Sequence, residues 1–237
     1  MRRFSASAPT RAMPTARLRL AVIAALGAFA LLVLPGCSSA GTTSAVAKAS
    51  TASPSKLASQ TYASKTFVLP LTITVGASLK SPPHLDSRNL LYWDASDSSG
   101  DKVRFLVPAN LYRPGSARPE AVPRDYLTYL QGLTSQGVKL SNMVKTTVDG
   151  HPATLMNATS TADAGFDGFF DGTLGCPATG ADQAEGCYGI QPDFALRLSV
   201  IRVGNTTLLA WARTSKASPD ETFFAMFEGM LKSVRFR

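Results

Sequence analysis

The chain has 237 residues, 45% of them hydrophobic and 17% charged, which is enough apolar material for one folded domain and too little charge for a disordered polyelectrolyte. Its formal charge of +8 falls to +3 once residues 1–36 are set aside. Arg2, Arg3, Arg11, Arg17 and Arg19 stand there with no acid among them, and 19 basic residues against 16 acidic ones remain. A surface charge that small gives no reason to expect a nucleic-acid partner.

Leu20 to Leu34 is an uncharged run of fifteen residues behind that arginine-rich start. As a helix it would span about 22 Å, short of the ~30 Å hydrocarbon core, which suits a cleaved signal over residues 1–36 better than a permanent span. The tetrapeptide Leu34-Pro35-Gly36-Cys37 resembles the lipobox of bacterial lipoproteins, in which the cysteine receives lipid and the chain is cut just before it. Gly36 fits that pattern, and Pro35 is less usual in it. The resemblance implies palmitate-type acylation of Cys37 and a tether on the extracytoplasmic face of the cell membrane, because one acyl chain holds marginally and two or more hold well. Arg2-Arg3-Phe4 leaves twin-arginine and general secretory export both open, and Met13 offers a second start.

Ser38 to about Ser64 is dominated by Ser, Ala and Thr and has no acidic residue. Such a stretch buries too little surface to offset its ordering entropy. As a coil of ~27 residues it would hold a domain roughly 30 Å from the head groups. Residues 37–65 are therefore expected to be a tether and residues 66–237 a globular domain.

From Thr66 the pattern turns to strands. Phe67–Val75 places Leu71, Ile73 and Val75 on one face, with Pro70 at an edge or bulge. Leu90–Trp93 and Val103–Val107 flank a polar hairpin loop, DASDSSGD. Arg124–Gln136 carries Tyr126, Leu127, Leu130 and Leu133 at helical spacing, and Gly137 stops it. Asp149-Gly150 joins two strand-like runs, and Gly204-Asn205 joins FALRLSVIRV to TTLLAWAR. A last helix is read with Ser218 as N-cap, Pro219 at the first helical position and Glu221 closing a capping box. Phe223, Phe227, Met230 and Val234 share its apolar face, widened by Phe224 and Leu231.

These elements predict an α+β domain, an antiparallel sheet built from hairpins and flanked by helices. The turn Gly150-His151-Pro152-Ala153, a long gap, two further strands and a terminal helix running from Phe227 to Phe236 resemble the Mog1/PsbP-like fold. Within it they are most similar to actinobacterial cell-envelope lipoproteins of the LpqN type. The resemblance covers residues 66–237, implies an α/β/α sandwich used as a binding module, and carries no catalytic residues across.

With Cys37 assigned to lipid, Cys176 and Cys187 remain, and an exported protein is expected to join them as a disulfide across the polar loop PATGADQAEG. His84 and His151 each adjoin a proline and read as solvated turn residues outside any metal-ligand spacing. Asp94, Asp97 and Asp101 fail the register of a calcium loop and read as a hairpin tip. Phe166, Phe169 and Phe170 lie in a glycine-rich segment and are candidates either to plug the core or to line a small apolar pocket.

Nucleophile elbows, phosphate loops, dinucleotide fingerprints and zinc-protease motifs are missing from the sequence. No metal or cofactor is expected. The expectation is thus a non-enzymatic, lipid-anchored envelope lipoprotein that engages an envelope protein partner through a sheet edge or the disulfide loop. The alternative is a carrier or sensor of a small apolar ligand or lipid near Phe166–Phe170.

Overall fold

Runs of β-branched and aromatic residues broken by turn formers become short strands. The computed structural model describes residues 59–161, 171–181 and 183–237. Cys37, the rest of 1–58, and Phe166, Phe169 and Phe170 lie outside the described residues. In chain order come β1 (Gln60–Ala63), β2 (Leu71–Val75), β3 (Leu85–Asp86), β4 (Leu90–Asp94), β5 (Lys102–Leu106), β6 (Leu111–Tyr112) and β7 (Pro119–Glu120). Helix α1 (Tyr126–Gly132) runs into a 3-10 turn at Leu133–Gln136, followed by β8 (Val138–Val148) and β9 (His151–Ser160). The single turn α2 (Gln183–Gly186), β10 (Phe194–Val203), β11 (Thr206–Ser215), α3 (Glu221–Ser233) and β12 (Arg235–Phe236) complete the chain.

Seven strands form one antiparallel sheet in the order β3-β4-β5-β11-β10-β9-β8, and β1-β2-β12 form a second, also antiparallel. Both expected hairpins close on two residues. Asp149 and Gly150 take positive φ values of 49° and 77°, as a type I′ turn requires, whereas Gly204 alone of its pair is positive at 57°. The large sheet has a core on each face. Trp93, Phe105, Ile201, Leu208 and Ala210 pack with β2 and with Phe223, Phe227, Met230 and Leu231 of α3. Leu90, Leu106, Leu198, Leu209 and Trp211 pack with Tyr126, Tyr129 and Leu130 of α1. The domain is an α+β fold with helices on both faces of a mostly antiparallel sheet.

Three boundaries differ from the sequence reading. The folded sheet begins at Gln60, inside the segment 37–65 expected to be tether. There β1 pairs with β2 from Gln60↔Val75 to Ala63↔Thr72. Tyr62 supplies the reason, since its hydroxyl donates to Asp86 Oδ2 at 2.7 Å and its ring meets Trp93 edge-on at 5.7 Å. The neighbouring Ser and Ala residues hide this strand in the composition. Phe67 to Pro70 do not extend β2, which starts only after Pro70, a residue without an N–H to donate. The cap of α3 is Asp220 rather than Ser218, with its carboxylate accepting from Phe223 N at 3.0 Å. The two-residue displacement keeps the apolar face unchanged, and Phe223, Phe224, Phe227, Met230 and Leu231 are all buried.

Asp86 fastens β1 and the following loop to the large sheet. Partial burial raises its carboxyl, but hydrogen bonds from Lys65 N, Tyr62 Oη and Thr66 together outweigh burial and hold the pKa below the ordinary carboxylate value. A carboxyl depressed in the folded state contributes stability above its unfolded pKa of ~4 and loses it as pH falls through the lower folded value. Burial, and then the bond to Asp86, pushes the Tyr62 hydroxyl up to about 12, so its contribution holds below ~10 and fades as pH climbs through about 12.

Asp220→Ala is expected to lower the unfolding free energy by about 1 kcal/mol, and Ser218→Ala to leave it within ~0.5 kcal/mol. Urea unfolding of both variants checks the cap assignment, and the reverse order would return the cap to Ser218. Asp86→Asn is expected to cost roughly 1 kcal/mol at pH 7 and to speed amide exchange across Gln60–Ala63, with variant and parent converging as the pH falls through the depressed carboxyl pKa of the folded state. Equal stability and equal exchange at pH 7 would show that Asp86 does not hold the first strand.

Candidate functional site

Two surface features gather chemistry, one at each end of the face that α1 covers. The first begins on β5. Arg104 stands between Tyr92 of β4 and Trp211 of β11, its direct cross-strand neighbours. Alternation places it on the same face as Leu106, so a cation sits where the strand pattern calls for an apolar side chain. Three aromatic rings accommodate it. The guanidinium carbon lies 5.6 Å from the ring centre of Tyr92, 4.8 Å from that of Tyr188 and 5.9 Å from that of Trp211.

Tyr188 is delivered by the segment that the disulfide closes. Cys176 and Cys187 are joined, with Cα atoms 4.3 Å apart. Tyr188 N donates to Gly175 O at 3.0 Å and Tyr188 O accepts from Leu174 N at 2.8 Å, stitching the two sides of the loop together. Gly175 has φ of 110°, and a Cβ there would stand 2.5 Å from Pro108 Cβ, so only glycine allows this approach. Tyr126 and Tyr129 of α1 donate their hydroxyls to Leu174 O and Thr173 O at 3.0 Å each, seating the same loop on the helix.

Arg213, two residues beyond Trp211, lies over the Phe194 ring at 4.0 Å, and its Nη2 donates to Gly100 O at 3.2 Å. Between the two arginines opens a cavity of about 170 Å³, also lined by Tyr188, Gly189, Gln191 and Trp211. Burial lowers the Arg104 pKa. Burial first, and then the like charge of Arg104, brings Arg213 down to about 10. The Nε of each arginine is buried without a hydrogen-bond acceptor.

Asp94, whose charge acts on both arginines as that of Asp101 acts on Arg213, is engaged elsewhere. It meets His84 Nδ1 at 2.5 Å and pairs with Lys102. Burial raises its carboxyl, but the hydrogen bonds from Lys102 and His84 together outweigh burial and hold it low. His84 thus stacks on Tyr92 at 4.8 Å and holds a carboxylate, more than the solvated turn residue expected. His151 opens β9 and meets Phe236 edge-on at 5.2 Å. Among the described residues no group of three His, Cys, Asp or Glu side chains gathers where it could hold a metal ion.

The second feature is a groove at the β10–β11 turn. One cavity of about 560 Å³ is lined by Val107, Pro108, Val122, Pro123, Arg124 and Arg202, and a second of about 310 Å³ shares both arginines and reaches Lys145, Thr146 and Pro152. Arg202 is fixed across it, donating to Asn205 O and Thr207 Oγ1 at 3.2 Å each and to Arg124 O at 2.5 Å. The one acid along these walls, Asp125, caps α1 by accepting from Thr128 N at 3.0 Å.

The sequence reading located the disulfide loop but neither arginine. Its available signal was a charged residue at an inward position, Arg104 within Val-Arg-Phe-Leu-Val. Phe166, Phe169 and Phe170 lie outside the described residues. Among the described residues no helix is long and apolar enough to cross a membrane.

No family model matches the chain, and no curated protein matches it. Solved structures similar to it include PA94 from Pseudomonas aeruginosa, a protein of unknown function, at 16% identity over 72% of this chain and 94% of that one, with a TM-score of 0.38. They also include PsbP (CyanoP) from Synechocystis sp. PCC 6803, at 11% identity over 76% of this chain and 94% of that one, with a TM-score of 0.41. At this level of overlap the α+β assignment rests on the strands and helices themselves.

Replacing Cys176 and Cys187 by Ser together is expected to cost about 3 kcal/mol, roughly 6–12 °C in Tm, while the domain still folds on its two cores. Thermal unfolding followed by circular dichroism checks this. An unchanged Tm would mean that the hydrogen bonds across the loop, rather than the cross-link, hold it shut.

Proposed function

We propose that this chain is an actinobacterial envelope lipoprotein of the LpqN type, anchored through lipid on Cys37, whose domain engages an acidic segment of an envelope protein without transforming it. The observation that supports this reading is the pinned groove at the β10–β11 turn. Arg202 is held by three hydrogen bonds to backbone and side chain, so its charge is positioned before a partner arrives and little ordering entropy remains to be lost on binding. Arg124 and Lys145 extend the positive surface along the same walls, and Pro108, Val122 and Pro123 supply rigid apolar contact beside it. Positive side chains around a stiff apolar floor suit a peptide that carries carboxylates next to apolar residues.

Cys37→Ala is expected to release the protein into the medium or leave it unprocessed in cell fractionation, because the signal segment alone is short for a span. Normal processing with unchanged membrane retention would remove the lipid anchor. A photo-cross-linking residue at Asn205 is expected to trap one envelope protein, and Arg124→Glu with Lys145→Glu to reduce that product at least tenfold. The same probe at Ser99, away from the groove, is expected to trap none. A native mass spectrum of the host-purified chain that carries a lipid mass would replace the interaction reading with a carrier.

A further inference from the structure

We propose that the pocket between Arg104 and Arg213 is a binding site for a small oxyanion, a phosphate or phosphoryl group. Two guanidinium groups from adjacent strands line one cavity of about 170 Å³. Among the described residues neither guanidinium has a carboxylate within ion-pair distance. Two partly desolvated cations side by side without a counter-charge are costly, and an anion in the cavity supplies the opposite charge to both. Asp94 does not fill this role, since Lys102 and His84 occupy its two oxygens.

The walls explain why an anion, rather than a protein carboxylate, completes the site. Tyr92, Tyr188 and Trp211 cover the faces of Arg104 and Phe194 covers that of Arg213. Stacking holds a guanidinium plane and leaves its rim for hydrogen bonds, of which Arg213 Nη2 makes one to Gly100 O, and such a planar fork matches the oxygens of a phosphate. The cavity has room for about five waters at ~30 Å³ each. One tetrahedral oxyanion with a water or two fits this volume, whereas a nucleotide does not. Gln191 stands at the wall with its Nε2 directed to Asp171 Oδ1 at 3.2 Å. The wall that carries Tyr188 is closed by the disulfide, so the cavity is preformed. Free phosphate and the phosphoryl group of a lipid head group present the same oxygens, and both are candidates for this site.

The test uses the full chain carrying Cys37→Ala, free of its own lipid. Sodium phosphate is titrated against sodium chloride at equal ionic strength, with Tm and titration calorimetry as readouts. Phosphate is expected to raise Tm saturably by several degrees and chloride to leave it unchanged, as for a ligand that binds only the folded state. Arg213→Gln is expected to reduce the affinity at least tenfold, and Arg104→Gln to do the same where it folds. Lys232→Gln, which does not line the cavity, is expected to retain full binding. Phosphatidylcholine vesicles doped with phosphatidic acid distinguish the sources. Co-sedimentation that free phosphate competes away assigns a head group, and binding of free phosphate without co-sedimentation assigns the ion. No saturable response of the parent chain to phosphate would overturn the proposal, and so would a response undiminished in Arg213→Gln.

Discussion

Strand β11 is the constraint around which the rest is arranged. It lies fourth in a seven-stranded sheet and is buried on both faces from Thr207 to Ala212. Leu208, Ala210 and Ala212 enter one core, and Leu209 and Trp211 enter the other. Two-sided burial demands a layer on each face, because a sheet with one bare apolar face would lose about 25 cal/mol for every Å² left in water. Helix α3 with the small sheet meets the first demand, and α1 with the disulfide segment meets the second. The alanines at 210 and 212 leave room on the side where Phe223, Phe224 and Phe227 must fit.

The same constraint explains where charge is found. A cation on a central strand cannot turn to water as one on an edge strand can, so Arg104 is left among rings and Arg213 partly desolvated beside it. Desolvation lowers the basicity of both, the charge of Arg104 lowers that of Arg213 further, and an anion between them offsets these effects by attraction. The polar loop containing the disulfide acts as a wall for this pocket through Tyr188. The sheet's far edge is treated differently. On β8 a bulge between Ser141 and Val144 interrupts the ladder, Asn142 takes a φ of 52°, and Met143 and Val144 are exposed beside Lys139 and Lys145. A bulged, lysine-bearing edge resists continuous strand addition, which leaves the groove near Arg202 as the better surface for a partner.

The first strand shows how a weak local signal becomes structure. Gln60 to Ala63 has little apolar content of its own, yet Tyr62 reaches both Asp86 and Trp93, one residue on an outer strand and one in the core. Its hydrogen bond and its ring contact act on the same four residues, so the chain is ordered further toward its amino terminus than composition suggests. Asp86 makes this possible because one carboxylate accepts from Tyr62, Lys65 and Thr66, 20 to 24 residues earlier in the chain.

Much of the fold was legible in the amino-acid order, because local rules determine it. Period two in Leu71, Ile73 and Val75 marked a buried strand face. Asp149-Gly150 could make a two-residue hairpin, since both positions tolerate positive φ. The spacing of Phe223, Phe227 and Met230 required a helix with one covered face, and the segment between Cys176 and Cys187 could be closed by a bond. Those features depend on neighbours within a dozen residues. The site residues do not. Arg104 becomes a pocket residue only when Tyr92, Tyr188 and Trp211 arrive from three other segments, and Arg202 becomes a groove residue only when its guanidinium reaches the backbone of Arg124. Contacts between residues dozens of positions apart are set by which strands pair and which layers stack, and that depends on burying both faces of β11 at once, a condition no local window of the sequence contains.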